Sequence, residues 1–240
     1  RAPDGCPWDK EQTHESLLPY LLEETYEVIE SIESKDWKTL NEELGDVLLH
    51  ILLQAQIAKE NSEFNIIDTL DNINNKLINR HPHVFGGKKI DKSFQAKKNW
   101  EEIKHVEKKR ESRLDGVPKK LPALTRAQRL QQKASYAGFD WDSLDLIWEK
   151  LYEEIDELKQ ANISGLKSSI EEELGDVLFT VVNIARFLEV PAEDMLRRAN
   201  EKFIYRFKSI EEELVSKGIP FEKASVEEMN EIWEAIKNSK

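Results

Sequence analysis

The feature that most constrains this 240-residue chain is that it states one helical pattern twice. The segment "YLLEETYEVIE" (20–30) is echoed by "EKLYEEIDELK" (149–159), and "NEELGDVLLHI" (41–51) returns as "EEELGDVLFTV" (171–181). Glu23, Glu24, Glu27, Glu43 and Asp46 thus have counterparts in Glu153, Glu154, Glu157, Glu173 and Asp176, each 130 positions later. Further on, "NNKLINR", with Lys76 and Arg80, matches "NEKFIYR", with Lys202 and Arg206, at an offset of 126, so one loop is shorter in the second copy. A repeat of this length, present twice, means two copies of one folding unit rather than a solenoid. A boundary around 110–122 is expected, giving domains 1–115 and 116–240.

Both copies read as helix. Leu18, Leu21, Leu22, Thr25, Val28, Ile29 and Ile32 mark one face at three- and four-residue spacing. Asp36 is expected to cap a helix through "LNEELGDVLLHILLQAQIAKE", and Asp68 a third, "DTLDNINNKLINR", that stops at His81-Pro82. The stretch 81–91 reads as loop, and "SFQAKKNWEEIKHVEKKRES" (93–112) as a helix charged on most sides. No alternating strand pattern is found, so the fold class is all-α.

The acidic positions argue for chemistry. Glu23/Glu27 and Glu24/Glu27 stand four and three apart, so each pair shares a helix face, where like charges cost about 0.2–0.5 kcal/mol. A single such motif is more often a solvated surface. Here all five acids recur with unchanged spacing while other surface positions have diverged. Asp46 and Asp176 also lead into "VLLHILLQAQIA" and "VLFTVVNIARFL", apolar on nearly every side, which predicts helices buried among neighbours. Unpaired buried carboxylates are costly, and two antiparallel helices with an acidic pair each at one level would form an oxygen cage for a hard cation, Mg2+ or Mn2+. Lys202/Arg206 and Lys76/Arg80 present cations at i and i+4, suited to phosphate. Gly45 and Gly175, mid-helix at a cost of about 1 kcal/mol each, predict a close helix approach beside the cage.

Other classes fall away. A lone cysteine, Cys6, forms neither an intrachain disulfide nor a cysteine zinc cluster and fits a reducing, cytoplasmic setting. "HESLL" lacks the second histidine of HExxH, and no Gly-rich loop ending in Gly-Lys-Ser/Thr exists. The acids lack the Glu-x-x-His signature of di-iron bundles. No apolar run is long enough to span a membrane, and a net charge of −12 disfavours nucleic acid as partner. The five histidines read as structural or exposed. A start at Arg1 rather than Met carries the expectation of a missing upstream portion.

These residues, with "GCPWDKEQTHESL" (5–17), "RHPHVFG" (80–86), "LPALTRAQRLQQKA" (121–134), "GFDW" (138–141) and "RANEKFIYRF" (198–207), resemble the MazG family of nucleoside triphosphate pyrophosphohydrolases over nearly the whole chain. The resemblance implies two tandem helical-bundle domains that assemble as a homodimer. It also implies Mg2+-dependent hydrolysis of (deoxy)nucleoside triphosphates to the monophosphate and pyrophosphate by direct water attack, in nucleotide-pool house-cleaning or regulation. It assigns the metal to Glu154, Glu157, Glu173 and Asp176, with Glu24, Glu27, Glu43 and Asp46 as the matching set in the first copy. Glu153 would orient water or a second metal. Lys202 and Arg206 would contact phosphate, and Lys150, Asn183 and Trp233 the nucleotide. The second copy is then the main catalytic one, Leu53 standing in the first where Asn183 stands in the second. Ser169 departs from relatives that carry lysine there, which puts one phosphate contact in doubt. The reading from another class is a non-catalytic nucleotide- or metal-binding regulator.

Overall fold

A computed structural model describes residues 1–87, 90 and 92–238. Among them are eleven α-helices and no strand: α1 (Pro7–Glu11), α2 (Leu18–Ser34), α3 (Trp37–Glu60), α4 (Ile66–Arg80), α5 (Pro82–Phe85), α6 (Ser93–Glu107), α7 (Ala123–Tyr136), α8 (Leu144–Ser164), α9 (Lys167–Phe187), α10 (Ala192–Ser216) and α11 (Val226–Asn238). The chain divides into two compact units, Arg1–Trp100 and Glu101–Lys240. Four residues of the expected loop at 81–91 fold as the single turn α5, seeded by Pro82 at its first position; Lys88, Lys89 and Asp91 lie outside the described residues.

Each unit is organised by a helical hairpin, α2–α3 in the first and α8–α9 in the second. The turns are built alike. Lys35 ends α2 in the left-handed region (φ 59°), and Gly165, its counterpart 130 positions on, ends α8 at φ 71°. Glycine enters that region without a Cβ clash; lysine does so at a cost, so the first copy carries strain the second avoids. Asp36 caps α3 as expected, accepting from Lys38 N and Thr39 N at 3.1 Å. The cap of α4 is Asn65 rather than Asp68. Asn65 accepts from Ile67 N and Asp68 N, while Asp68 reaches back to Asn65 N at 2.9 Å, so Asp68 is the third-position partner of a capping box.

The second unit has two small cores. Ile147, Leu151 and Ile184 join α8 to α9, and Ile210, Leu214 and Ile232 join α10 to α11 with Trp233 and Ile236 against them. Each such side chain contributes roughly 1.5–3 kcal/mol on full burial. In the first unit Leu17, Ala55, Ile57 and Ala58 are buried.

The helices after the acids were expected to be buried on nearly every side. Only one side is covered in the single chain. Leu44, Leu48, Leu49 and Leu52 of α3 and Leu174, Leu178, Phe179 and Val181 of α9 are exposed, Leu48 at 53% and Leu178 at 52%. Those side chains lie on the faces that α2 and α4 leave open on α3, and that α7, α8 and α10 leave open on α9. For the same reason the close approach expected at Gly45 and Gly175 is absent, an added Cβ at either meeting no atom within 4 Å. No helix among the described residues is long and apolar enough to cross a membrane.

Candidate metal centre

The hairpin turns explain why the acids meet. Glu157 and Glu173 lie equally far in sequence on either side of Gly165, as do Glu154 and Asp176. In an antiparallel pair with one rise per residue, equal offsets bring residues to the same level. Glu27/Glu43 and Glu24/Asp46 are disposed in the same way about Lys35.

In the second unit, carboxylate oxygens of Glu154, Glu173 and Asp176 lie within 4.8 Å of one another. Glu157 stands beside them. Burial and the charges of Glu154, Glu173 and Glu153 raise its carboxyl above the ordinary range against the pull of Lys150. Glu154 is buried although charged, and Lys150 Nζ donates to it at 2.9 Å and to Glu153 at 2.6 Å. Those hydrogen bonds, Glu153's first, hold Lys150 well above the usual lysine range. An open groove of about 580 Å³ runs beside the acids, lined by Glu153, Glu157, Ser169 and Glu173 among others. Ser169, the position in doubt, thus brings a hydroxyl and no charge to the groove wall.

The first unit gathers Glu24, Glu27 and Glu43 within the same limit. Burial, then the charges of Asp46 and Glu27, raise Glu24; burial, then Glu27, raise Glu43. The partner of the inner glutamate differs between copies. Tyr20 replaces Lys150 at the matching position, and His50, where the second copy has Thr180, lies with Nε2 4.0 Å from Glu24 Oε1 and stacks on Tyr20.

The remaining candidates occupy α10, α11 and the inner side of α9. Arg206 lies over Trp233 at 5.3 Å, and Phe203 packs on the same ring. Lys202, exposed, projects one turn earlier on the same face. Among the described residues no ion pair joins Lys202 or Arg206 to the acids. Asn183 is buried and accepts from Arg186 Nε at 2.9 Å.

One correspondence escaped the sequence reading. Arg80 lies over Trp100 at 5.1 Å, as Arg206 lies over Trp233. "NWEEIK" (99–104) and "IWEAIK" (232–237) are the signal, so the duplication extends to α6 and α11. The offset of 133 differs from those of the earlier elements, which hides the match from a search at fixed spacing.

The donor chemistry fits a hard divalent cation. The gathered ligands are all carboxylate oxygens, at separations compatible with one coordination sphere whose metal–oxygen distance is about 2.0–2.2 Å for Mg2+ or Mn2+. Burial first, then repulsion by neighbouring acids, raises the carboxyls of Glu24, Glu43 and Glu157, and a bound cation relieves that repulsion.

Helical hairpins that carry paired carboxylates, stated twice, define an all-α class of acidic-site proteins. Comparison with known proteins makes the class specific. The family model described as the MazG nucleotide pyrophosphohydrolase domain matches residues 12–85 and again 143–210. The chain is 47% identical over 239 residues to the nucleoside triphosphate pyrophosphohydrolase/pyrophosphatase MazG of Thermotoga maritima, covering 99% of this chain and 91% of that protein. It is 43% identical over 241 residues to a nucleoside triphosphate pyrophosphohydrolase of Escherichia coli K12, covering 98% and 91%. An uncharacterized protein, YabN, of Bacillus subtilis is 43% identical over 242 residues, covering 100% of this chain and 50% of that protein. The chain belongs to the MazG nucleotide pyrophosphohydrolase family, with the domain present in tandem.

Proposed function

We propose that this chain hydrolyses (deoxy)nucleoside triphosphates to the monophosphate and pyrophosphate, and that the second copy, residues 116–240, is the main catalytic one. The observation that carries the reading is the convergence of Glu154, Glu173 and Asp176 from two helices beside an open groove. Glu154, Glu157, Glu173 and Asp176 would hold Mg2+, with Mn2+ as an alternative. A divalent ion bound there supplies charge neutralisation of the triphosphate and acidification of a water.

The protein's own groups do the rest. Lys150 fixes the Glu154 carboxylate in place. Glu153, exposed at the groove, orients the attacking water through its free carboxylate oxygen. Lys202 and Arg206 take phosphate oxygens, Arg206 being held in place over Trp233. Trp233 and Asn183 contact the nucleoside. Glu24, Glu27, Glu43 and Asp46, with Tyr20 in place of Lys150, form the cage of the first copy, 1–115.

A homodimer belongs to the same proposal. What supports it is the open apolar faces on α3, α4, α9 and α10, of the kind that mark association surfaces. The cytoplasmic setting rests on Cys6 being a single, exposed, free thiol. The test mutates the cages separately: Glu154→Gln or Asp176→Asn abolishes nucleotide turnover, while Glu24→Gln retains it. Full turnover in both second-copy variants refutes the assignment.

A further inference from the structure

The motif "LPALTRAQRLQQKA" is not used by the proposed chemistry, yet it builds a charged cluster of its own. It folds as α7, which presents two polar stripes. Thr125, Gln128 and Gln131 face α9 and α10: Thr125 N donates to Glu193 at 3.4 Å, Gln128 Nε2 to Val190 O and Gln131 Nε2 to Phe179 O, each at 2.8 Å. Arg126, Arg129 and Lys133 recur at three- and four-residue spacing on a second stripe. This stripe meets the last turns of α6.

There one carboxylate serves four cations. Glu101 Oε2 accepts from Lys133 at 2.8 Å, with Arg110 at 4.0 Å; Glu101 Oε1 accepts from Arg129 at 3.3 Å, with Lys104 at 3.9 Å. The Lys133 side chain is only 6% exposed and that of Arg110 12%. Arg110 lies against the backbone of Gly116, where a Cβ would collide with its guanidinium. Among the described residues neither Arg110 Nη1 nor Arg126 Nε finds a hydrogen-bond partner, though both atoms are buried. Burial, with the charges of Arg110, Lys133 and Arg129, pushes Lys104 below the ordinary lysine range even against Glu101.

A chain with a net charge of −12 therefore gathers four cations around one carboxylate in a partly buried cluster. Uncompensated charge at such depth is costly unless a counter-charge arrives. Guanidinium forks beside ammonium groups are the donor set for phosphate oxygens. The cluster shares no residue with the acids of α8 and α9. We propose that the α6–α7 cluster is a second, metal-independent anion site, which takes the phosphates of a di- or triphosphate: free pyrophosphate or the tail of a nucleotide.

The test uses the full chain in EDTA, where no metal-dependent turnover interferes, titrated calorimetrically with inorganic pyrophosphate and separately with a non-hydrolysable nucleoside triphosphate. Binding is expected to weaken at least tenfold in Arg129→Gln and in Lys104→Gln, and to persist in Lys202→Gln/Arg206→Gln. Loss with both probes assigns the site to a phosphate tail in general, and loss with pyrophosphate alone to the free anion. Glu101→Gln separates a ligand site from a purely structural ion network: pyrophosphate should raise its Tm more than that of the unsubstituted chain. No binding in EDTA overturns the proposal. So does binding that follows Lys202 and Arg206 and ignores Arg129, or a cluster already neutralised by a second copy and blind to pyrophosphate.

Discussion

Glu154→Gln separates a metal ligand from a structural salt bridge, because the two roles differ in sign and size. In the metal-free chain Glu154 is repelled by Glu173 and Asp176, whose oxygens lie within 4.8 Å, and attracted by Lys150 at 2.9 Å. At an effective dielectric constant of about 20, each repulsion at that limit is about 3.5 kcal/mol and the attraction about 6 kcal/mol. Asp176 is exposed, so solvent screening lowers its share. The terms nearly cancel, and Lys150 keeps Glu153 as a partner. Without divalent ions the variant should thus change stability by no more than about 1–2 kcal/mol, a Tm shift under roughly 8 °C. Metal binding has no such cancellation. Loss of one of the four proposed anionic ligands should weaken Mg2+ or Mn2+ at least tenfold, about 1.4 kcal/mol. Thermal unfolding in EDTA and calorimetric titration with Mn2+ read the two quantities separately. A large loss of metal-free stability with unchanged Mn2+ affinity would refute the reasoning and leave Glu154 as a structural partner of Lys150.

The remaining expectations address other links. Lys35→Gly should stabilise the first unit by roughly 1 kcal/mol, because it relieves the left-handed strain that Gly165 avoids in the second copy; a lower Tm contradicts this. Burial pushes the Glu101 carboxyl up, but Lys133, Lys104 and Arg129 together hold it below the ordinary glutamate value of 4.5. Its contribution to stability is therefore complete above 4.5 and lost as pH falls through the lower folded value, and Glu101→Gln should flatten the acid limb of a Tm–pH profile. Glu24, Glu43 and Glu157 have the opposite sign: raised in the fold, they make the metal-free protein less stable as pH rises from 4.5 through their folded values. Mg2+ should cancel that decline, and a decline equally steep with saturating Mg2+ would count against the cages as metal sites. Leu178→Glu, on the open face of α9, should shift the chain from dimer to monomer in size-exclusion light scattering.

Much of this was legible in the chain because the repeat compares two environments of one pattern. The acids stood out since like charges at three- and four-residue spacing were kept in both copies while their surroundings changed. The cap at Asp36 and the stop before Pro82 follow from local rules that act within a few residues. Asp68 was misplaced because aspartate serves both as cap and as the third residue of a capping box, and only the Asn65 geometry distinguishes them. The open apolar faces could not be read from periodicity, which reports that a face avoids water but not which chain covers it. Trp100 was missed because loop lengths shift the register by a few residues between copies. The four cations around Glu101 come from α6, the following loop and α7, so no single stretch of sequence announces them.

The central claim is a particular bond cleavage, and product identity tests it most directly. The full chain, incubated with each (deoxy)nucleoside triphosphate and Mg2+, is followed by phosphorus NMR. The account predicts a nucleoside monophosphate and pyrophosphate in equal amounts, abolished by EDTA and by Asp176→Asn. Release of orthophosphate with a nucleoside diphosphate, or no turnover of any nucleotide, would contradict it.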